Sequence, residues 1–518
     1  MTSPVHRCPL SEPRPVSLSH ALAVGAIRHP SKDAVIFGDH VLSYRTLDGL
    51  VTKTAALLGT HHSASEHFAS CLPRTPEFVQ CFLASIRAGL RYVPIDPTLP
   101  PPSLVRLFSL FPPSFVVLEA DDLERVDAAL VQAGVRREAR ILVVNLGGSR
   151  RAGVECLEDA VKEASHRKLV EPDIDCGVYV NFTSGTTGEP KGVVATRGNI
   201  FWNVLGAVHE LGLDHADRHL CCFPSHVHPH EIVARPVYLG GTIVLCPSQV
   251  NSIVEAIQDH GVTCMMANQA VYDLLRRHLG SRGRLGDQLR LAESGGSLTP
   301  PSLVEDYRQR WNLPLVPVWG STETTGLALV CDSDRASSRE PCIGRVARYF
   351  EARDTDENGL SLETGAAGAL CLRGPAVVNG YVNASKRDVG RFADGWFETE
   401  DIVHVDAEGY FYFHGRTNDM IKSGGLKVYP MEVEAVLRSL PQVREAVVLG
   451  TPDSSRGEGI LAFLVLRRGA ELTEKGVIEA CSRELEPHKV PRAIRFIPEL
   501  PRTSAGKTDR SALLRLGS

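Results

Sequence analysis

The chain has 518 residues, 43% of them hydrophobic and 23% charged, with a formal net charge of −5. That length allows two or more domains around a large core, and a slight acidity gives no electrostatic footprint for nucleic acid. No apolar run reaches the roughly eighteen residues of a membrane span, and the polar, proline-rich start over 1–15 lacks the apolar stretch of a signal peptide.

Residues 17–60 read as helix, strand, strand, helix, with strand 34–37 and helix 47–58 the clearest parts. A helix over 78–88 follows, then Gly89-Leu90-Arg91-Tyr92-Val93-Pro94, a strand that runs into a proline-punctuated loop. Apolar runs at 115–118 and 141–145 alternate with helical segments. The same alternation continues through helix 198–211, strand 242–245, helix 250–260, and strands 262–266, 289–293 and 315–318. It predicts α/β layers with mostly parallel strands, and ligands in such sheets sit beyond the carboxyl ends of the strands. From Gly344 the texture turns to short β-like runs at 368–372, 376–378 and 409–413, a small β subdomain. Beyond it, helix 432–439, strands 445–449 and 460–465 and helix 473–485 form a compact α+β pattern of about 100 residues. The expected division is a large N-terminal domain over 1–417 and a small C-terminal domain over 418–518. Thirteen scattered cysteines, with no Cys-x-x-Cys pair, predict reduced thiols and a cytoplasmic location.

The richest stretch is Thr183-Ser184-Gly185-Thr186-Thr187-Gly188-Glu189-Pro190-Lys191-Gly192, set between two strand-like runs. Glycines let backbone N–H groups approach an anion closely, the hydroxyls add donors, and Lys191 adds a full positive charge. This is a cradle for a polyphosphate. It is not the P-loop of mononucleotide-binding folds, which needs Gly-x4-Gly-Lys-[Ser/Thr]. A near miss to that pattern at 501–508 begins with proline and is followed by only ten residues.

Other stretches offer matching chemistry. Trp319-Gly320-Ser321-Thr322-Glu323 combines an aromatic plane for a base, a hydroxyl and a carboxylate suited to Mg²⁺. Gly295 and Gly296 end a strand, Asp401 has the chemistry to accept from two ribose hydroxyls, and Arg416 to reach ribose or phosphate. Lys507 brings a charge on a glycine-bearing loop near the C-terminus.

In this order, the motifs resemble the AMP-forming ligases, a family that includes acyl- and aryl-CoA synthetases, peptide-synthetase adenylation domains and firefly luciferase. The resemblance spans about 18–515 and is most specific at 183–192, Thr322-Glu323, Gly415-Arg416 through Gly425, and 500–507. It implies a two-step reaction. A carboxylate attacks the α-phosphate of ATP to give an acyl-adenylate and pyrophosphate, and a thiol of CoA or of a carrier-protein phosphopantetheine then displaces AMP. By motif match, 183–191 bind the triphosphate, Glu323 the Mg²⁺, and Trp319 with Gly295 and Gly296 the adenine. Asp401 and Arg416 hold ribose, and Lys507 bridges carboxylate and phosphate during adenylation. The resemblance also implies a C-terminal domain that swings between steps, removing Lys507 and bringing in the face over 422–427.

Two departures stand out. The family's Thr-Gly-Asp is Thr399-Glu400-Asp401 here, and the hinge, usually Asp or Lys, is Asn418, a residue tolerant of unusual backbone angles. Tyr92-Val93-Pro94-Ile95-Asp96-Pro97 resembles peptide-synthetase domains, whereas 423–430 resembles CoA ligases. CoA ligation is the leading expectation, loading of a carrier protein the alternative, and a non-catalytic nucleotide-binding regulator a remote one. His226, His228 and His230 crowd one loop. His226 falls where amino-acid-activating relatives carry an aspartate for the substrate's ammonium group. His226 or His228 is therefore expected to line the acyl pocket of an acid without an α-amino group.

Overall fold

The structure, a computed structural model, describes residues 14–59, 66–145, 153–164, 173–183, 191–280, 283–337, 341–356, 359–382, 386–453, 457–502 and 508–517. Among these, the strands form three sheets of fourteen, seven and five strands.

The largest sheet has six parallel strands at its centre, in the order Asp33–Phe37, Thr242–Leu245, Arg218–Cys221, Cys264–Ala267, Leu291–Ser294 and Leu315–Ser321. Several are short apolar runs buried on both faces, as parallel strands covered by helices must be. From Leu315–Ser321 the sheet continues through antiparallel strands, among them Gly326–Val330, Phe411–Arg416, Trp396–Val405 and Gly368–Arg373. The expected β part from Gly344 is thus hydrogen-bonded into the central sheet.

The seven-stranded sheet ends in the hairpin Gly177–Thr183 and Lys191–Thr196, which pairs Thr183 with Lys191 on either side of the loop expected to bind polyphosphate. Helices Leu18–Arg28, Tyr44–Leu58 and Pro76–Ala88 pack their apolar faces between this sheet and the largest one. Their ends follow from sequence. Ser43 and Thr75 cap two N-termini, accepting from Thr46 and Phe78 N–H groups, and Gly89, at φ +82°, stops the third helix.

The five-stranded sheet joins Leu426–Val428, Ile421–Ser423, Gly457–Leu466, Val443–Asp453 and Ala493–Phe496. With helices Pro430–Ser439 and Glu474–Glu484 it encloses a core of its own, centred on Val433, Val448, Ala462 and Ile494.

One expected strand is absent. Residues 376–378 form a turn, because their backbone is spoken for elsewhere. Asn199 Nδ2 donates to the carbonyls of Pro375 and Val377, Thr325 Oγ1 to that of Ala376, and Val378 N–H donates to the carbonyl of Glu323. A valine pair has strand propensity, but tertiary hydrogen bonds override it.

Candidate active site

The carboxyl ends of the parallel strands and the antiparallel flank bring three of the predicted residues, Trp319, Asp401 and Arg416, into contact. Strand Leu315–Ser321 turns back at 322–325, a turn held by its own hydroxyls. Thr324 Oγ1 donates to the carbonyl of Gly326, and the Ser321 N–H donates to Thr324 Oγ1. Gly320 is required here, since a Cβ would stand 2.4 Å from the Gly326 oxygen. Gly296 is required by its φ of +75° and lies beside the Phe223 ring, a neighbour that no local motif announced. Thr322, half-buried, occupies the same turn as the buried Glu323.

Trp319 and Asp401 meet directly. The indole Nε1 donates to Asp401 Oδ2 at 2.8 Å, and Arg416 Nε lies 3.0 Å from Oδ1. Burial pushes the Asp401 carboxyl up, and Arg416 and Trp319 pull against that rise. Arg416 is held above its usual value mainly by Asp401, with Asp419, Glu400 and Glu323 adding to it. Arg416 thus pairs with Asp401, the carboxylate predicted for ribose.

Glu323 is buried, with Oε1 accepting from the Tyr381 hydroxyl at 2.5 Å. Its other oxygen has no partner among the described residues. A buried carboxylate with one oxygen to spare fits Mg²⁺, which takes one or two protein carboxylates beside phosphate oxygens. Tyr381 pairs with Val193 of the phosphate-loop hairpin, so the turn at 322–325 and that hairpin are tied together. Arg391 Nη1 donates to the same tyrosine hydroxyl at 3.0 Å.

Lys191 is engaged by Asp388 at 2.5 Å and stands 5.4 Å from the centre of the Tyr381 ring. Thr183 takes its place in the strand by backbone pairing. Ser184, Gly185, Thr186, Thr187, Gly188 and Lys507 lie outside the described residues. Sequence reasoning missed Tyr381, Asp388 and Arg391. Only a Gly380-Tyr381 pair and a charged stretch mark them, and such features are common.

The three histidines separate into distinct roles. His230 is fully buried, stacks on Tyr179 and, through Nε2, donates to the carbonyl of Thr325, so it supports the turn. Burial holds it well below its usual value, hence neutral. His228 Nδ1 lies 3.3 Å from Asn181 Nδ2, next to the phosphate-loop strand. His226 Nε2 lies 3.6 Å from Asp96 Oδ2, and burial lowers its imidazole against the pull of that carboxylate.

Glu400 sits at φ +66°, the left-handed region that costs a side chain about 1–2 kcal/mol and glycine almost nothing. The backbone there thus keeps the shape that the family's glycine favours. Asn418 Nδ2 donates to Glu400 Oε1 at 3.0 Å, and Arg391 Nη1 lies 3.5 Å from Oε2, contacts that offset the strain.

Among known proteins, the AMP-binding enzyme family matches residues 22–382, and the AMP-binding enzyme C-terminal domain matches residues 432–507. The chain is 29% identical over 495 residues to the indoleacetate–CoA ligase of Aromatoleum aromaticum, covering 94% of this chain and 95% of that one. It is 30% identical over 490 residues to the 2-succinylbenzoate–CoA ligase of Bacillus licheniformis, covering 93% and 97%. Its fold is similar to the crystal structure of an anthranilate CoA ligase in complex with anthranoyl-AMP, at a TM-score of 0.85, 22% identity and 98% coverage of each chain.

Proposed function

The chain belongs to the AMP-binding enzyme family, and from that premise we propose that it activates a carboxylic acid with ATP as an acyl-adenylate and passes the acyl group to CoA. One observation carries the reading: Asp401 is held by Trp319 and Arg416, while Glu323 is held by Tyr381, which pairs with Val193 in the hairpin that flanks the 183–191 loop. Nucleotide, metal and phosphate chemistry thereby share one place.

Asp401 accepts from the ribose hydroxyls, with Trp319 and Arg416 holding its carboxylate in position. Trp319, Gly296 and Phe223 border the space for adenine. The glycine- and hydroxyl-rich sequence over 183–190 suits the phosphates, and Lys191 exchanges Asp388 for a phosphate oxygen. Glu323 would hold Mg²⁺, which neutralises phosphate charge when bound. Lys507 reaches the substrate carboxylate and α-phosphate as charge builds between them. Such sites act by positioning and charge compensation, so none of these groups forms a covalent bond to the substrate. The C-terminal part, hinged at Asn418, rotates between the two steps.

The names of the similar ligases support CoA over a carrier protein as acceptor. For the acid, His226 replaces an ammonium-binding carboxylate and is engaged by Asp96, which favours an aryl, hydroxy or simple acyl acid. Its scattered cysteines support a reducing, cytoplasmic setting. ATP–pyrophosphate exchange across a panel of acids tests the activation step, and acyl transfer to CoA against a carrier protein tests the acceptor. Exchange with a proteinogenic amino acid, and none with its deaminated analogue, would refute the substrate class. No exchange with any acid would refute catalysis.

A further inference from the structure

We propose that Glu400 is a positioning residue that latches the hinge amide of Asn418 and so sets the balance between the two half-reactions. The inference rests on the reading of Asn418 as the hinge. It starts from a backbone oddity: Glu400 adopts φ +66° in strand Trp396–Val405, one residue before Asp401. Local conformation favours glycine there, so the side chain is kept for its contacts rather than for the strand.

Those contacts run in two directions. Toward the C-terminal part, Glu400 Oε1 accepts from Asn418 Nδ2 at 3.0 Å. Toward the active site, Oε2 lies 3.5 Å from Arg391 Nη1, which donates to the Tyr381 hydroxyl at 3.0 Å. That hydroxyl donates to Glu323 Oε1 at 2.5 Å. A continuous polar chain therefore links Asn418, where the C-terminal part begins to turn, with the carboxylate placed to hold Mg²⁺. When the hinge rotates, the amide of Asn418 must leave Glu400, and the cost of that parting holds the arrangement seen until rotation.

Glycine suits the local backbone, so E400G removes the latch without a folding penalty. The test measures single-turnover rates of pyrophosphate release, from acid and ATP, and of thioester formation, from acyl-adenylate and CoA. Wild type, E400G, E400Q, N418A, the E400G/N418A pair and N418P are compared, with melting temperatures.

In E400G the ratio of the two rates is expected to shift at least three-fold, with a melting temperature no lower than wild type. N418A shifts it by a similar factor in the same direction, and the double variant shifts it no further, as one shared contact requires. E400Q, which keeps an acceptor for the amide, restores most of the ratio. Equal slowing of both steps in E400G, no change in either, or additive effects in the double variant would overturn the latch. N418P separates the two readings: an unchanged ratio there sinks the hinge and the latch together, while a changed ratio beside an inert E400G removes the latch alone.

Discussion

The indole Nε1 of Trp319 donates to Asp401 Oδ2 at 2.8 Å, joining the residue placed for adenine to the residue placed for ribose. One side chain thus borders the proposed base site and orients the carboxylate proposed for the sugar. In W319F the aromatic plane remains and the donor is lost, leaving a carboxylate only 2% exposed without one of its partners. A hydrogen bond to a charged group contributes about 1.5–3 kcal/mol. The expected result is a rise of about ten-fold in KM for ATP in pyrophosphate exchange, with a smaller change in kcat.

Lys507 is expected to act in the first step only. K507A should lower single-turnover adenylation by about 10²-fold or more while sparing thioester formation from a supplied acyl-adenylate. Measuring both half-reactions on the same preparation decides it, and equal losses would remove the assignment.

Asn418 is expected to matter more for the second step. Proline fixes φ, and a hinge must change its dihedral angles, so N418P should slow thioester formation several-fold more than adenylation. Equal effects on both steps would reduce Asn418 to a linker residue.

A pH dependence of stability follows from the buried group Glu231, Arg235 and Glu293. Arg235 Nη1 pairs with Glu293 at 2.5 Å, while Glu231 stands 3.7 Å from Nη2. Burial pushes the Glu231 carboxyl up to about 7, with Arg235 opposing the rise. The folded state then keeps a proton that the unfolded chain releases from about pH 4.5 upward. Stability therefore falls as pH rises between about 4.5 and 7, by an amount on the order of 3 kcal/mol at 1.36 kcal/mol per pKa unit. E231Q should flatten that part of the curve, read as melting temperature from pH 5 to 8. An identical slope in both proteins would refute the assignment.

Much of this molecule follows from local signals. The alternation of apolar runs and helical stretches predicted the parallel α/β layers, because strands covered on both faces need near-continuous apolar sequence. Hydroxyl- and glycine-rich loops after strands marked the candidate site, since close approach to phosphate demands small residues and donors. Asp401, Arg416, Glu323 and Trp319 could be nominated because each sits in a short motif. Their partners were not, because the contacts join residues far apart in the chain. Tyr381 reaches Glu323 across 58 positions, and Asp388 reaches Lys191 across 197. The valine pair at 377–378 read as a strand until Asn199, Thr325 and Glu323 claimed the backbone around it. Glu400 is the clearest division. Its sequence position showed only a side chain where the resembling family has glycine. The left-handed backbone and the reach to Asn418 and Arg391 exist only once the antiparallel flank and the C-terminal sheet meet. Local composition determines which chemistry is available, and long-range packing decides which groups are paired, because hydrogen bonds act over about 3 Å of space, whatever the distance along the chain.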